Sequence, residues 1–307
     1  MKFYLGVTDT GWYEYLSTRR PEDVNFWQPG GNSVFRVLPP WGPFLFKLKH
    51  PQNAIGGVGF FASHTRLPLS VAWETFGTRN GCDSFQTLRK MILRYRKNPD
   101  DPNPSIGCIV LTNPVFFRQS DWIPTPESWG KSIVQGKSYS DEEPVGRALW
   151  EQVQVLLAKY MTAQPATAAA GEEPAAFSTL LTRIRLGQGA FRVMVTDAYT
   201  RRCSISGEKT LPVLEAAHIR PFAQQGPHAL KNGILLRSDI HKLFDTGYVT
   251  ITPELRVEVS SRIRQEFENG REYYQYHGKE LAFLPPRAED RPGPEFIDWH
   301  NVNIYKG

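Results

Sequence analysis

One segment decides how this chain must be built. Thr162 to Ala176, TAQPATAAAGEEPAA, is rich in Ala, Pro, Gly and Glu and has no large apolar side chain. Such a run cannot bury enough surface to offset the entropy of ordering it, so 162–176 reads as an interdomain linker. It divides the 307 residues into an N-terminal domain at 1–161 and a C-terminal domain at 177–307. Both lengths lie in the usual range of ~100–200 residues. An apolar content of 40%, with 12% aromatics, is enough to fill two cores. No run of eighteen apolar residues occurs, and MKFYLGVTD lacks a basic stretch followed by an apolar one. Neither a membrane-spanning helix nor a secretory signal is therefore expected. Cys82, Cys108 and Cys203 are scattered, forming neither a disulfide framework nor a C-x-x-C knuckle, which suits a reduced, cytoplasmic protein.

The expected fold class is α+β. In the first domain, Lys2–Thr8, Gly42–Leu48, Ala54–Ala62 and Ile106–Thr112 are short β-prone runs bounded by Gly, Pro or Asn. A helix is predicted over Ser84–Tyr95. Another, over Val145–Tyr160, has Leu149, Val153, Leu156, Leu157 and Tyr160 at helical spacing. The remaining stretches, which carry Trp12, Trp27 and Trp73, read as long aromatic loops. Short strands with such loops suggest a small curved sheet or barrel. In the second domain the pattern predicts a helix near Ser178–Thr200, a hairpin around Cys203–His218, a helix at Ser238–Phe244 and a strand through Tyr248–Ser260.

Chemistry concentrates between Arg201 and Gly247, where His218, Asn232 and His241 stand in order. His218 ends an apolar stretch, LPVLEAAHI, that Arg220-Pro221 terminates. Asn232-Gly233 is a turn signal. Ser238 opens a helix with Asp239 and His241 in its first turn. A strand pair and a helix can thus bring a base, an orienting amide and a metal-capable imidazole to one point. A lone histidine on an apolar strand is ordinarily a core residue; three spaced blocks in this order are not.

The blocks A-A-H-I-x-P, N-G-I-x-L and H-x-L-F-D-x-G resemble the HNH, or ββα-metal, nuclease family. Flanking similarity extends to Gly187–Arg192 and Arg202–Gly207. The resemblance implies a metal-dependent endonuclease in which His218 is the general base and His241 a metal ligand. Asn232 would order the loop and orient His218. Many members carry an Asp just before the base, where this chain has Ala217. Strand alternation puts Glu215 on the same face, making it the first candidate for an acidic contribution, with Asp239 the second. The expected ion is Mg²⁺ or Mn²⁺, and an imidazole ligand also admits Zn²⁺ or Ni²⁺. His228 falls in a Gly/Pro loop and reads as solvent-exposed, and Asp245 as a residue that caps or turns the chain. His277 and His300 read as structural.

The charge pattern fits an acidic partner. The whole chain carries a net +5, and ten Lys or Arg against five Asp or Glu between Ser178 and Thr250 give the same excess. Phosphate binding needs such a local surplus. Arg220, Arg237 and Lys242, nearest the histidines in sequence, are the candidate phosphate contacts.

In the first domain Gly56, Gly57 and Gly59 are too close together for a dinucleotide turn, and a close approach of another strand or a ligand explains them better. The aromatic loops around short strands resemble, less specifically, the PUA-like superfamily of EVE, ASCH and SRA domains. That resemblance implies a curved β-barrel reader that takes a flipped base between aromatic walls. Candidate pocket residues are Asn25, Trp27, Trp12, Tyr13, Phe61, Ser63 and Trp73; Lys47, Lys49, His50 and Arg66 flank the same loops. A PUA-like reader joined to an HNH domain is the architecture of modification-dependent restriction endonucleases. The expected partner is double-stranded DNA carrying 5-methylcytosine or a relative, with a homodimer for double-strand cleavage. An HNH effector sensing another ligand or modification, and a non-catalytic reader of modified DNA, are the competing expectations.

Overall fold

The structure, a computed structural model, describes residues 1–30, 34–96, 100–130, 132–162 and 186–307, without the side chains of 161 and 162. The expected linker from 163 onward and the first part of the helix expected at 178–200 lie outside the described residues. The chain divides into two compact units, Met1–Ala190 and Phe191–Gly307.

The first unit is built on strands β1 (Lys2–Thr8), β2 (Asp23–Gln28), β3 (Pro43–Leu48), β4 (Ala54–Pro68), β5 (Ser105–Phe116), β6 (Ile123–Pro124) and β7 (Gly136–Ser140). Helices α1 (Thr10–Ser17), α2 (Leu69–Phe76), α3 (Phe85–Leu93) and α4 (Pro144–Thr162) join or cover them. The strand order is β2-β5-β4-β3-β1-β7, with β6 paired to β4. β1 runs parallel to β3, and the other pairs are antiparallel. Among the described residues this is an open path from β2 to β7, so the curved barrel is here a bent sheet. The bending has local causes: the register shifts at Phe46/Lys47, Val58/Phe60 and Phe61/Ser63.

Alternation places side chains on two buried faces. Phe3, Leu5, Leu45, Val58 and Phe60 pack with Leu149, Trp150, Val153 and Leu157 of α4. Phe44, Phe46, Leu48 and Phe61 pack on the other face with Trp12, Tyr13 and Leu16 of α1. The glycine run belongs to this packing. A Cβ on Gly57 would stand 2.3 Å from the Val115 carbonyl oxygen of β5, and one on Gly56 would stand 2.8 Å from the Tyr13 ring.

Three aromatic segments read as loops are regular structure. Trp12 and Tyr13 lie on α1, whose N-terminus Asp9 caps by accepting from the Gly11 and Trp12 amides. Asn25 and Trp27 lie on β2, and Trp73 on α2. In each case burial against the sheet overrides a loop-like composition.

The second unit opens within α5 (Gln188–Ala198), where Phe191 and Val195 are buried. The first hairpin is not formed around 203–218. It pairs β8 (Leu214–His218) with β9 (Gly233–Arg237), so that His218 faces Gly233. α6 (Ser238–Asp245) follows directly, completing a ββα unit. The strand expected through 248–260 is a second hairpin, β10 (Val249–Ile251) with β11 (Val257–Val259). α7 (Arg262–Phe267), α8 (Arg271–Tyr274) and α9 (Pro294–Asn303) close the unit. His300 of α9 is buried, with Nδ1 at 2.8 Å from the Thr250 hydroxyl and Nε2 at 3.1 Å from the Phe244 carbonyl oxygen. The three cysteines are free and buried. Among the described residues no helix is long and apolar enough to cross a membrane.

Candidate active site

The ββα unit brings the histidines together because its parts are consecutive. His218 ends β8, Asn232 immediately precedes β9, and His241 lies one turn into α6. The His218 ring stacks on Phe191, with centroids 3.9 Å apart and planes 11° apart. Its Nε2 lies 2.8 Å from Nδ1 of His228. Burial, aided by the nearby His228, lowers its pKa to about 4, so His218 is neutral at pH 7.

Asn232 is fully buried and satisfies three backbone groups of the loop between β8 and β9. Its Oδ1 accepts from the Arg220 amide at 2.8 Å, and its Nδ2 donates to the carbonyl oxygens of Arg220 and Pro227 at 3.0 and 2.9 Å. The loop folds tightly enough that a Cβ on Gly226 would stand 1.9 Å from the Arg220 carbonyl oxygen.

His241 lies between two carboxylates. Its Nδ1 is 2.6 Å from Glu215 Oε2, and its Nε2 is 3.3 Å from Asp245 Oδ2. Burial disfavours its charge, but the hydrogen bonds to Asp245 and Glu215 outweigh burial and raise its pKa. Asp245, on the next helical turn, supplies the carboxylate that the sequence suggested from Asp239. Asp239 instead receives a two-pronged bond from Arg237, at 2.7 and 2.8 Å, and the Tyr273 hydroxyl at 3.3 Å. The Arg237 guanidinium holds the Asp239 carboxyl below the usual carboxylate range. Arg237 and Asp239 are thus joined to each other, both partly exposed.

Of the other candidate phosphate contacts, Lys242 is exposed. Arg220 lies over the Trp299 ring at 5.3 Å while its Nε donates to the Gln224 carbonyl. Ala217 is fully buried in the core of the second unit.

The Nε2 side of His241 suits a divalent cation, with one imidazole nitrogen and the Asp245 carboxylate, a mixture compatible with Mg²⁺, Mn²⁺ or Zn²⁺, while Glu215 holds the ring from Nδ1. Two ligands about 2.1 Å from one ion at right angles stand ~3 Å apart, close to the 3.3 Å between His241 Nε2 and Asp245 Oδ2. Among the described residues no group of three or more His, Cys, Asp or Glu forms a ready-made cage. Water and substrate oxygens would therefore complete the shell.

The first unit holds a cavity of about 390 Å³. Its wall includes Trp12, Trp27, Phe26, Tyr4 and Tyr95, together with Asp9, Lys49, Gln28 and Gln135. The Trp27 indole donates to the Asn80 carbonyl at 3.0 Å, and the Trp12 indole to the Asn25 carbonyl at 3.1 Å. Gln28 Oε1 is buried without a hydrogen-bond partner. Of the seven candidate pocket residues, only Trp12 and Trp27 line this cavity.

The other five are drawn elsewhere by packing. Tyr13 bonds through its hydroxyl to the carbonyls of Gly56 and Phe117, both at 2.8 Å, and burial pushes its pKa to about 12. Asn25 is fully buried, its Nδ2 donating to Asn80 Oδ1 at 2.9 Å. Phe61 packs against Phe35, Ser63 keeps its buried hydroxyl unpaired, and Trp73 lies on α2. Lys47 is buried and donates to Asn53 Oδ1 at 3.1 Å, so it is closed to a DNA backbone. Lys49 sits at the cavity wall, 3.4 Å from Asp9 Oδ2, while His50 and Arg66 are exposed.

Among solved structures the chain is similar to the ASCH protein of Zymomonas mobilis, with 9% identity over 48% of this chain and 93% of that one and a TM-score of 0.34. It is also similar to the modification-dependent TagI restriction endonuclease, with 24% identity over 40% of this chain and 39% of that one and a TM-score of 0.28. A comparison with curated proteins finds no match. The HNH endonuclease family model matches residues 203–252, the stretch that contains β8, β9, α6 and the first hairpin loop. Residues 203–252 are an HNH endonuclease domain.

Proposed function

We propose that the chain is a modification-dependent DNA endonuclease. The second unit hydrolyses phosphodiester bonds and the first unit reads a modified cytosine flipped from the duplex. The cavity carries the reading half of this proposal. It is walled by indole and phenol rings, which can stack on a base. Asp9 and Lys49, paired with each other at 3.4 Å, put an acceptor and a donor at the same wall.

In the hydrolytic half, His218 takes the proton of the attacking water, and Asn232 holds the loop beside it. Nε2 of His241 and Asp245 would hold the divalent ion, with Glu215 orienting the imidazole through Nδ1; the ion when bound stabilises charge building on the phosphate and leaving oxygens. Lys242 and Arg220 would meet the backbone. One such centre cuts one strand at a time, so double-strand cleavage calls for a homodimer or two successive nicks. The buried free thiols fit a reducing, cytoplasmic setting.

Trp27 tests the reader with little risk to the core, because it is half-buried whereas Trp12 is 2% exposed. Base–aromatic stacking contributes about 1–3 kcal/mol. Trp27→Ala should therefore weaken binding to a duplex with one 5-methylcytosine by roughly 5–150-fold. Its binding to the unmodified duplex should hardly change. Fluorescence anisotropy at fixed salt measures both, and equal losses on the two duplexes would remove Trp27 from base recognition.

A further inference from the structure

His228 lies in a loop whose Gly/Pro composition suggests exposure to solvent, yet it is the polar partner of His218. The two rings meet through His218 Nε2 and His228 Nδ1 at 2.8 Å. One hydrogen lies between them, and its owner decides what His218 can do. If His218 carries it, Nδ1 keeps a lone pair; if His228 carries it, His218 is protonated at Nδ1 and cannot act there as a base. Nδ1 of His218 has no hydrogen-bond partner among the described residues, so an incoming water can reach it.

The surroundings hold His228 as firmly as a loop allows. Its ring stacks on Phe222, with centroids 4.5 Å apart and planes 14° apart, and Phe191 flanks it at 5.6 Å. Asn232 donates to the carbonyl of Pro227, the residue just before it. Phe191 also stacks on His218, so one aromatic ring keys both imidazoles.

We propose that His228 is a positioning residue for the hydrolytic reaction: it accepts the Nε2 hydrogen of His218 and leaves Nδ1 of His218 free to take the proton of the attacking water. This rests on reading His218 as the general base. After proton transfer the imidazolium donates through Nε2 to the same His228 nitrogen, so the contact strengthens as charge develops. Asn232 then acts at one remove, by fixing the loop that holds His228.

The test uses the full chain in two measurements. Imidazole ¹⁵N NMR of the metal-free protein at neutral pH should show His218 as the Nε2–H tautomer. That tautomer should persist in His228→Asn, whose Oδ1 replaces Nδ1 as acceptor, and become mixed in His228→Ala. Single-turnover nicking of 5-methylcytosine plasmid with Mn²⁺ should slow roughly 10–100-fold in His228→Ala, as when the partner orienting a functional histidine is removed. KM for DNA should stay unchanged, and His228→Asn should recover most of the rate. An Nδ1–H tautomer of His218 in the wild type overturns the proposal, whether or not the alanine variant folds. So does a raised KM with unchanged kcat, which would make His228 a substrate contact. A wild type that shows the expected tautomer but nicks no DNA would sink the nuclease reading and leave the histidine pairing standing.

Discussion

His218→Ala is expected to lower phosphodiester cleavage by about 10²–10⁴-fold, the usual contribution of a general base, while leaving DNA affinity nearly unchanged. The separation of the two effects follows from where the ring sits. Its stacking on Phe191 and its bond to His228 are both internal to the unit. Burial keeps it neutral at pH 7, the form that accepts a proton. Negative charge arriving with the scissile phosphate favours the protonated form, drawing the proton from water when it is needed. Titration of binding in Ca²⁺, followed by rapid-quench nicking in Mn²⁺, gives the two quantities. An alanine variant that nicks at the wild-type rate would place the base elsewhere.

Asn232→Ala is expected to destabilise the second unit by about 3 kcal/mol, from three lost hydrogen bonds, two of which leave the Arg220 amide and carbonyl without another partner among the described residues. The side chain is fully buried, and among the described residues it is the partner of both the amide and the carbonyl of Arg220, whereas the Pro227 carbonyl keeps the Ala229 amide at 2.9 Å. Because the same loop carries His228, cleavage should fall more than stability alone explains. Asn232→Asp separates the terms: it keeps an acceptor for the Arg220 amide but turns the two donations into repulsions. It should therefore be no more stable than the alanine variant. Urea unfolding followed by Trp299 fluorescence, with nicking measured well below the transition, checks both. Wild-type stability in the alanine variant would contradict the role of the amide.

The ββα site is legible in the sequence because its residues are close in the chain. Leu214 to Asp245 forms two adjacent strands and the helix after them, so spacing and alternation nearly determine which side chains meet. Two partners escaped for different reasons. Asp245 stands four residues after His241 on one helix, a spacing that pairs side chains, but its place before Thr246-Gly247 reads more readily as a turn. His228 offers no such signal, since its position depends on Asn232 holding Pro227 and on stacking with Phe222. Arg237 and Asp239, two residues apart, are paired with each other, which spacing alone does not foretell.

The first unit is harder to read because its sheet pairs strands far apart in sequence. Asn25 of β2 faces Val110 of β5, and that pairing decides which side chains line the cavity. Phe26 and Trp27 reach the cavity wall, while Asn25 between the sheet and Asn80 does not. Aromatic composition alone cannot separate Trp27 from Tyr13. The glycine run was more legible, since crowding by a neighbouring strand is what three close glycines most simply allow.

The most direct test of the account is cleavage of two plasmids of identical sequence, one carrying 5-methylcytosine and one unmodified, by the full chain with Mg²⁺ or Mn²⁺. The account predicts cuts in the modified plasmid alone, abolished by His218→Ala and by chelation of the metal. Equal cutting of both plasmids, or no cutting of either alongside selective binding to the modified one, would contradict it.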